Sequence, residues 1–134
     1  MAPRLLLDTH VVLRLLADPK RLSKDQSRTL DAAVRRTEPV ALSAISLLEI
    51  AVLLGDGKHR IRRSPHRLFD DLQASPFFRL LPFTFEIASE VASIGGVLRD
   101  PADRAIVATA RVHQLRLVTS DQRIIGSKLV PVVE

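Results

Sequence analysis

The sequence has no cysteine, no tryptophan and no tyrosine. Without cysteine there is no disulfide scaffold, no cysteine-based zinc finger and no thiol nucleophile. Five phenylalanines are the only aromatics. They are too few for a platform on which successive bases stack, so a nucleic acid would be met through its shape or a short loop. Four of them, Phe77, Phe78, Phe83 and Phe85, crowd around one stretch and read as core. Long apolar runs are also missing. The longest nearly apolar stretch, 44–54, contains Ser46 and Glu49 and falls well short of the about 20 residues that span a bilayer. The residues before Asp8 include one Arg and three Leu, which does not make a secretory signal; a cytoplasmic location is expected. No repeat, low-complexity tract or linker breaks the chain.

What is present suits a globular fold. The 134 residues fit the size of one domain, about 100 to 200 residues, and such a chain buries roughly two-thirds of its unfolded surface without staples. Hydrophobic residues make up 46% and charged residues 26%, which excludes disorder and collagen-like repeats. Twenty Lys and Arg face fifteen Asp and Glu, a net charge of +5, and sixteen of the twenty are Arg. The guanidinium fork matches phosphate oxygens, so a polyanionic partner is one reading; a genome biased towards Arg codons would give the same balance.

Apolar strands alternate with helices. The stretches 4–7, 39–42, 77–82 and 115–119 read as strands, and 129–133 as a fifth. Helices are expected over 11–17, 24–36 after the cap Ser23, 44–54, onward from Ser64-Pro65, after Thr84 as far as Gly95-Gly96, and from Asp100-Pro101 to about residue 114. Strand–helix–strand succession implies a mainly parallel sheet covered on both faces, a three-layer α/β/α sandwich. Ligands of such sheets bind at the carboxyl ends of the strands.

Acids gather at those places. Asp8 follows Leu5-Leu6-Leu7, and Asp121 follows Leu117-Val118-Thr119-Ser120. Each also suits a helix cap or an Asx turn. Glu49 is the only charge in 44–54; a helix that apolar is expected to be largely buried, and a buried carboxylate needs a partner, either a metal or an Arg. Asp100-Pro101-Ala102-Asp103-Arg104 is a strong helix start, with Asp100 as cap and Asp103 in the first turn. Arg104 pairs either with these acids or with a phosphate, the ion pair being the favoured reading. Converging carboxylates repel one another, and a divalent cation relieves the conflict. Oxygen-only donors suit Mg²⁺ or Mn²⁺, ions that activate water and neutralise charge at a phosphodiester. Nearby, 55–67 carries Lys58, Arg60, Arg62, Arg63 and Arg67 against a single acid, Asp56, which reads as an RNA-backbone track or as a solvated loop. His10, beside Asp8, reads as packing in the first helix.

At these residues the sequence resembles the PIN-domain ribonucleases of the VapC-like type, the toxin half of type II toxin–antitoxin modules. The matching segments are Leu6-Leu7-Asp8-Thr9-His10, Ser43-Ala44-Ile45-Ser46 with Glu49-Ile50-Ala51, Asp100-Pro101-Ala102-Asp103-Arg104 with Ala108, and Val118-Thr119-Ser120-Asp121. Their order and spacing fit over essentially the whole chain, so 1–134 is expected to be a single PIN-like domain. The resemblance implies a metal-dependent endoribonuclease in which Asp8, Asp103 and Asp121 bind metal and Glu49 does so directly or through water. Thr9 and Ser120 fall where a hydroxyl supports the metal shell, and Asp100 on a motif position less clearly a ligand. It further implies a cognate antitoxin and a homodimer. An antitoxin segment would find apolar surface beside the Glu49 helix and the helix over 64–74, including Leu68, Phe69 and Leu72, side chains that equally suit the core. The sequence departs from the pattern at Gly95-Gly96-Val97-Leu98, where relatives carry His, and at Leu48, where an aromatic is common. Three other readings are a PIN-fold nuclease that processes RNA without a toxin role, a non-catalytic module that binds protein or RNA, and an aspartyl phosphotransfer enzyme. The last needs a second Asp just after Asp8 or a late sheet Lys, and the last strands offer only Lys128.

Overall fold

A computed structural model describes residues 1–57 and 61–134. In chain order the elements are β1 (Leu5–Leu7), α1 (Thr9–Ala17), α2 (Lys24–Arg35), β2 (Val40–Ser43), α3 (Ala44–Gly55), α4 (Pro65–Ala74), β3 (Phe78–Leu81), α5 (Phe85–Ile94), α6 (Pro101–His113), β4 (Arg116–Val118), α7 (Gln122–Ser127) and β5 (Val132–Val133). Short 3₁₀ turns at Pro19–Arg21 and Gly95–Val97 link α1 to α2 and follow α5. The helix starts follow the expected chemistry. Ser23 and Gln26 form a reciprocal capping box, and Ser64, Thr84 and Asp100 each accept a backbone N–H with their side chains. Gly95 closes α5 at φ +58°, a left-handed conformation that favours glycine.

Every strand pair is parallel, in the order β3-β2-β1-β4-β5. Alternation along the strands builds the two interior layers. Leu5, Leu7, Val40, Leu42 and Val118 pack with α1–α4, while Leu6, Ala41 and Leu117 pack with α5–α7. Leu6, Leu7, Ile106 and Leu117 are fully buried, each stabilising the fold by about 1.5–3 kcal/mol. The sheet grows in one direction through β2 and β3 and in the other through β4 and β5. The topological switch point therefore lies between β1 and β4, where the loops leaving the two strands part and open a crevice.

Three expectations need correction. The helix α3 is not largely buried: Leu48 and Val52 are 61% and 52% exposed, because the core takes one side of the helix, with Ser46, Ile50 and Leu54 buried and Ile45 and Leu47 partly so. Phe83 and Phe85 are not core; Phe85 is 98% exposed, because both lie beyond the end of edge strand β3, where no layer covers them. Phe77 and Phe78 do pack against the core, edge to face with ring centroids 5.0 Å apart. Finally, Gln122–Ser127 forms a short helix absent from the sequence reading.

Candidate metal site

The register that pairs Leu7 with Val118 sets Asp8 next to Thr119 at the switch point. The Asp8 N–H donates to the Val118 carbonyl at 3.0 Å, extending the ladder one step past the strands. Asp8 Oδ1 then accepts the Thr9 N–H at 2.8 Å, capping α1, and Oδ2 accepts the Thr119 hydroxyl at 2.7 Å. Thr119 Oγ1 in turn accepts the Asp121 N–H at 3.0 Å. One fully buried hydroxyl thus joins the acid after β1 to the acid after β4. The sequence reading passed over Thr119; its signal was the parallel register, which sets a hydroxyl beside an acid.

Asp103 reaches the same space from the opposite layer. Asp100 caps α6 by accepting the Asp103 N–H at 3.1 Å, which fixes the first turn and points Asp103 at the crevice. Its carboxyl is pushed up to about 6, first by burial and then by the charges of Asp100, Asp121 and Asp8, against a smaller pull from Arg123. Four carboxylates therefore act on one region. Burial also pushes Asp121 up, but side-chain and backbone hydrogen bonds from Arg123, and its charge, hold that carboxyl below the usual range. Arg123 Nη2 lies 3.1 Å from Asp121 Oδ2 and 3.6 Å from Asp103 Oδ2.

Glu49 is half-buried on α3. Its Oε1 accepts the Thr9 hydroxyl at 2.6 Å, and Ser46 Oγ lies 2.9 Å from the same hydroxyl oxygen. Thr9 has a single proton, so the serine donates to Thr9 while Thr9 donates to the carboxylate. This chain orients Glu49 from the residue that follows Asp8. On the other side, Ser120 Oγ accepts from Arg14 at 3.2 Å and from the fully buried Gln26 at 3.0 Å. The Ser120 N–H donates to His10 Nε2 at 2.9 Å. The ring is thereby neutral with its proton on Nδ1, 3.4 Å from Asp8 Oδ2. Burial lowers the His10 pKa, the charge of Arg14 adds to this, and Asp8 and Asp121 oppose it. His10 therefore ties the β1 and β4 loops together rather than merely packing in α1, and it does so with Gln26 and Arg14, which the sequence did not single out.

Other expected residues stand apart. Arg104 binds the backbone carbonyls of Leu98 and Arg99; among the described residues it forms no ion pair with Asp100, Asp103 or Glu49, because its guanidinium folds back under the loop that leads into α6. The cation that does face the acids is Arg123. Arg62 and Arg67 are exposed. Arg63 pairs with Asp71 of α4 at 2.8 Å. Lys58 and Arg60 lie outside the described residues. Leu68 and Leu72 point into the core, and the partly buried Phe69 packs against it. A 680 Å³ cavity lined by residues including Glu86, Glu90, Arg111 and Leu115 lies towards the opposite end of the sheet. Its one arginine is already held by Glu90 and the Leu129 carbonyl.

Among the described residues, no three acids or histidines close into a ready-made metal cage. The chemistry of the donors nonetheless fits a divalent cation. They are all oxygens, which suits Mg²⁺ or Mn²⁺, and the Asp103 carboxyl, raised first by burial and then by the neighbouring charges, gains from a cation on both counts. Fold and site thus define a doubly wound α/β protein with a carboxylate crevice at its switch point. The chain belongs to the PIN-domain family, whose model matches residues 5–126. It is 35% identical over 120 residues to Ribonuclease VapC22 of Mycobacterium tuberculosis, covering 89% of this chain and 88% of that protein. FitAcB from Neisseria gonorrhoeae superposes with a TM-score of 0.72 at 28% identity, over 97% of this chain and 96% of the other. A toxin–antitoxin complex from Klebsiella pneumoniae shares the fold, with a TM-score of 0.68 at 23% identity over 96% of this chain and 95% of the other.

Proposed function

We propose that this chain is a Mg²⁺- or Mn²⁺-dependent endoribonuclease and the toxin of a type II toxin–antitoxin pair, acting in the cytoplasm as a homodimer. The observation that carries the reading is the convergence of Asp8, Asp103 and Asp121 at the switch point, with Asp103 pushed up first by burial and then by the charges of its neighbours. The 35% identity to a named ribonuclease supports RNA as substrate. Asp8, Asp103 and Asp121 would hold the cation, with Glu49 directly or through water. A divalent ion bound there supplies charge neutralisation at the scissile phosphate and activation of water. The remaining roles belong to the chain itself. Thr9 fixes Glu49, Thr119 fixes Asp8, Ser120 and His10 hold the β4 loop, Asp100 starts α6, and Arg104 braces the loop before it. Arg62 and Arg67, with Arg63, Lys58 and Arg60 of the same basic run, would track the phosphate backbone.

An antitoxin partner fits the mainly apolar groove of about 450 Å³ lined by Leu42, Leu47, Phe69, Leu72, Gln73, Phe78 and Leu80, with the exposed Leu48 and Val52 of α3 as further apolar surface. The complex from Klebsiella pneumoniae supports a partner of this kind. Among the described residues, no helix is long and apolar enough to cross a membrane.

The deciding experiment cleaves a panel of structured RNAs with wild type and Asp103→Asn, purified identically, in Mg²⁺, Mn²⁺ or EDTA. Cleavage by wild type that disappears in EDTA and in the variant is the expected result. Equal cleavage by both proteins overturns the assignment of the site.

A further inference from the structure

Arg123 stands at the second position of α7, at the mouth of the acid crevice. One nitrogen, Nη2, lies 3.1 Å from Asp121 Oδ2 and 3.6 Å from Asp103 Oδ2, while Nε lies 3.4 Å from Asp121 Oδ1. A single positive group thus bridges carboxylates from two different elements, the place that a bound cation would take. The side chain is 74% exposed. Among the described residues the other arginines near the site are committed: Arg14 to Ser120, and Arg104 to the Leu98 and Arg99 carbonyls.

We infer that Arg123 is the resident counter-ion of the metal-free site, that a divalent cation displaces it, and that the freed guanidinium then holds an RNA phosphate at the mouth. This rests on the metal-nuclease reading above. Arg123 and a dication cannot share the gap between Asp103 and Asp121, since their charges repel. The dication prevails because an exposed ion pair is weak. The displaced side chain stays tethered beside Asp121, so its charge swings only as far as its own stem allows. A guanidinium there meets phosphate oxygens with a planar, two-pronged donor set. The same residue therefore opposes metal entry and favours substrate, two effects of opposite sign that a merely structural arginine would not produce.

The test uses the whole protein with Arg123→Gln and Arg123→Lys, folding being checked by circular dichroism. Free Mn²⁺ is measured by electron paramagnetic resonance in the absence of RNA. Binding of a short fluorescein-labelled 2′-O-methyl RNA, which resists cleavage, is followed by anisotropy across a salt series in saturating Mn²⁺. Arg123→Gln is expected to bind Mn²⁺ about threefold tighter, the size of one weak exposed ion pair. It should also bind the RNA more weakly, with a salt slope smaller by about one. Arg123→Lys should keep the wild-type Mn²⁺ affinity. Unchanged or weaker Mn²⁺ binding by Arg123→Gln, or an unchanged RNA affinity and slope, overturns the inference. If wild type itself binds no Mn²⁺, the metal reading falls and takes this inference with it. A wild type that binds Mn²⁺ and an Asp103→Asn that does not would locate the failure in Arg123 alone.

Discussion

At the scale of single residues, one acid of the crevice, Asp103, works against the fold that carries it. In the metal-free protein the Asp103 carboxyl titrates at about 6 instead of the ordinary 3.8. Below pH 4 it is neutral in both folded and unfolded chains and affects neither. Between about 4 and 6 the unfolded chain gives up this proton before the folded one does. Stability therefore falls as pH rises through that window, and the loss is complete above 6. His10, held below its ordinary 6.5, contributes the opposite slope, so the informative quantity is the difference between wild type and Asp103→Asn. With the partial exposure of Asp103 discounted, the variant should be about 1 kcal/mol more stable in EDTA at pH 7 and show little advantage at pH 4. Urea melts at the two pH values read this directly; equal stability at pH 7 would mean that the carboxylates do not face one another. Thr119→Val removes the hydroxyl that joins Asp8 to Asp121. It should cost about 1–3 kcal/mol for the unpaired buried groups and lower cleavage at least about tenfold even in saturating Mn²⁺, as loss of an orienting partner does. Asp8, Asp103 and Asp121 were legible because strand ends and helix starts leave a pattern along the chain. Thr119, Arg123 and Gln26 were not: Thr119 meets Asp8 through the register of β1 against β4, Arg123 meets Asp103 across α7 and α6, and Gln26 reaches Ser120 from α2, contacts that only the tertiary fold makes.

At the scale of elements, strands and capped helices could be read from apolar runs and from Ser, Thr, Asp and Pro at the starts, since these are local signals. The exposure of α3 could not. Its apolar residues extend nearly all round the helix, and the sequence cannot say that Ile50 and Leu54 face the core while Leu48 and Val52 face solvent. The helix α7 is six residues long, too short to show a repeat of 3.6 residues. The leftover apolar stripe on α3 has a use if a partner covers it. Leu48→Ser combined with Val52→Ser removes only solvent-facing apolar surface. It should leave the melting temperature within a few degrees, as surface substitutions do, and leave RNA cleavage intact. Inhibition by a co-expressed antitoxin should weaken at least about tenfold, as befits loss of anchor residues at an interface. Full inhibition of the double variant would place the antitoxin elsewhere.

At the scale of the whole molecule, two opposite charge patterns are built into one chain. The net charge is +5, yet carboxylates from β1, α6 and the β4 loop share one crevice. A basic exterior draws in a polyanion from a distance, whereas the acidic interior would repel its phosphates until a cation reverses the local sign. Metal binding should accordingly act as a folding ligand as well as a cofactor. Only the folded chain brings Asp8, Asp103 and Asp121 together, so Mn²⁺ bound there as proposed would stabilise it by mass action, about 2.7 kcal/mol at a hundredfold excess over Kd. For a domain of this size that corresponds to a rise in melting temperature of several degrees. The rise should saturate with Mn²⁺, vanish in EDTA and be absent in Asp103→Asn. Arg62→Glu with Arg67→Glu should leave it unchanged, because those exposed residues lie outside the crevice; if they track RNA as proposed, the same pair should weaken RNA binding and flatten its salt dependence. An equal Mn²⁺ shift in wild type and Asp103→Asn would show that the ion binds elsewhere, and would separate the basic surface from any cation-dependent chemistry in the crevice.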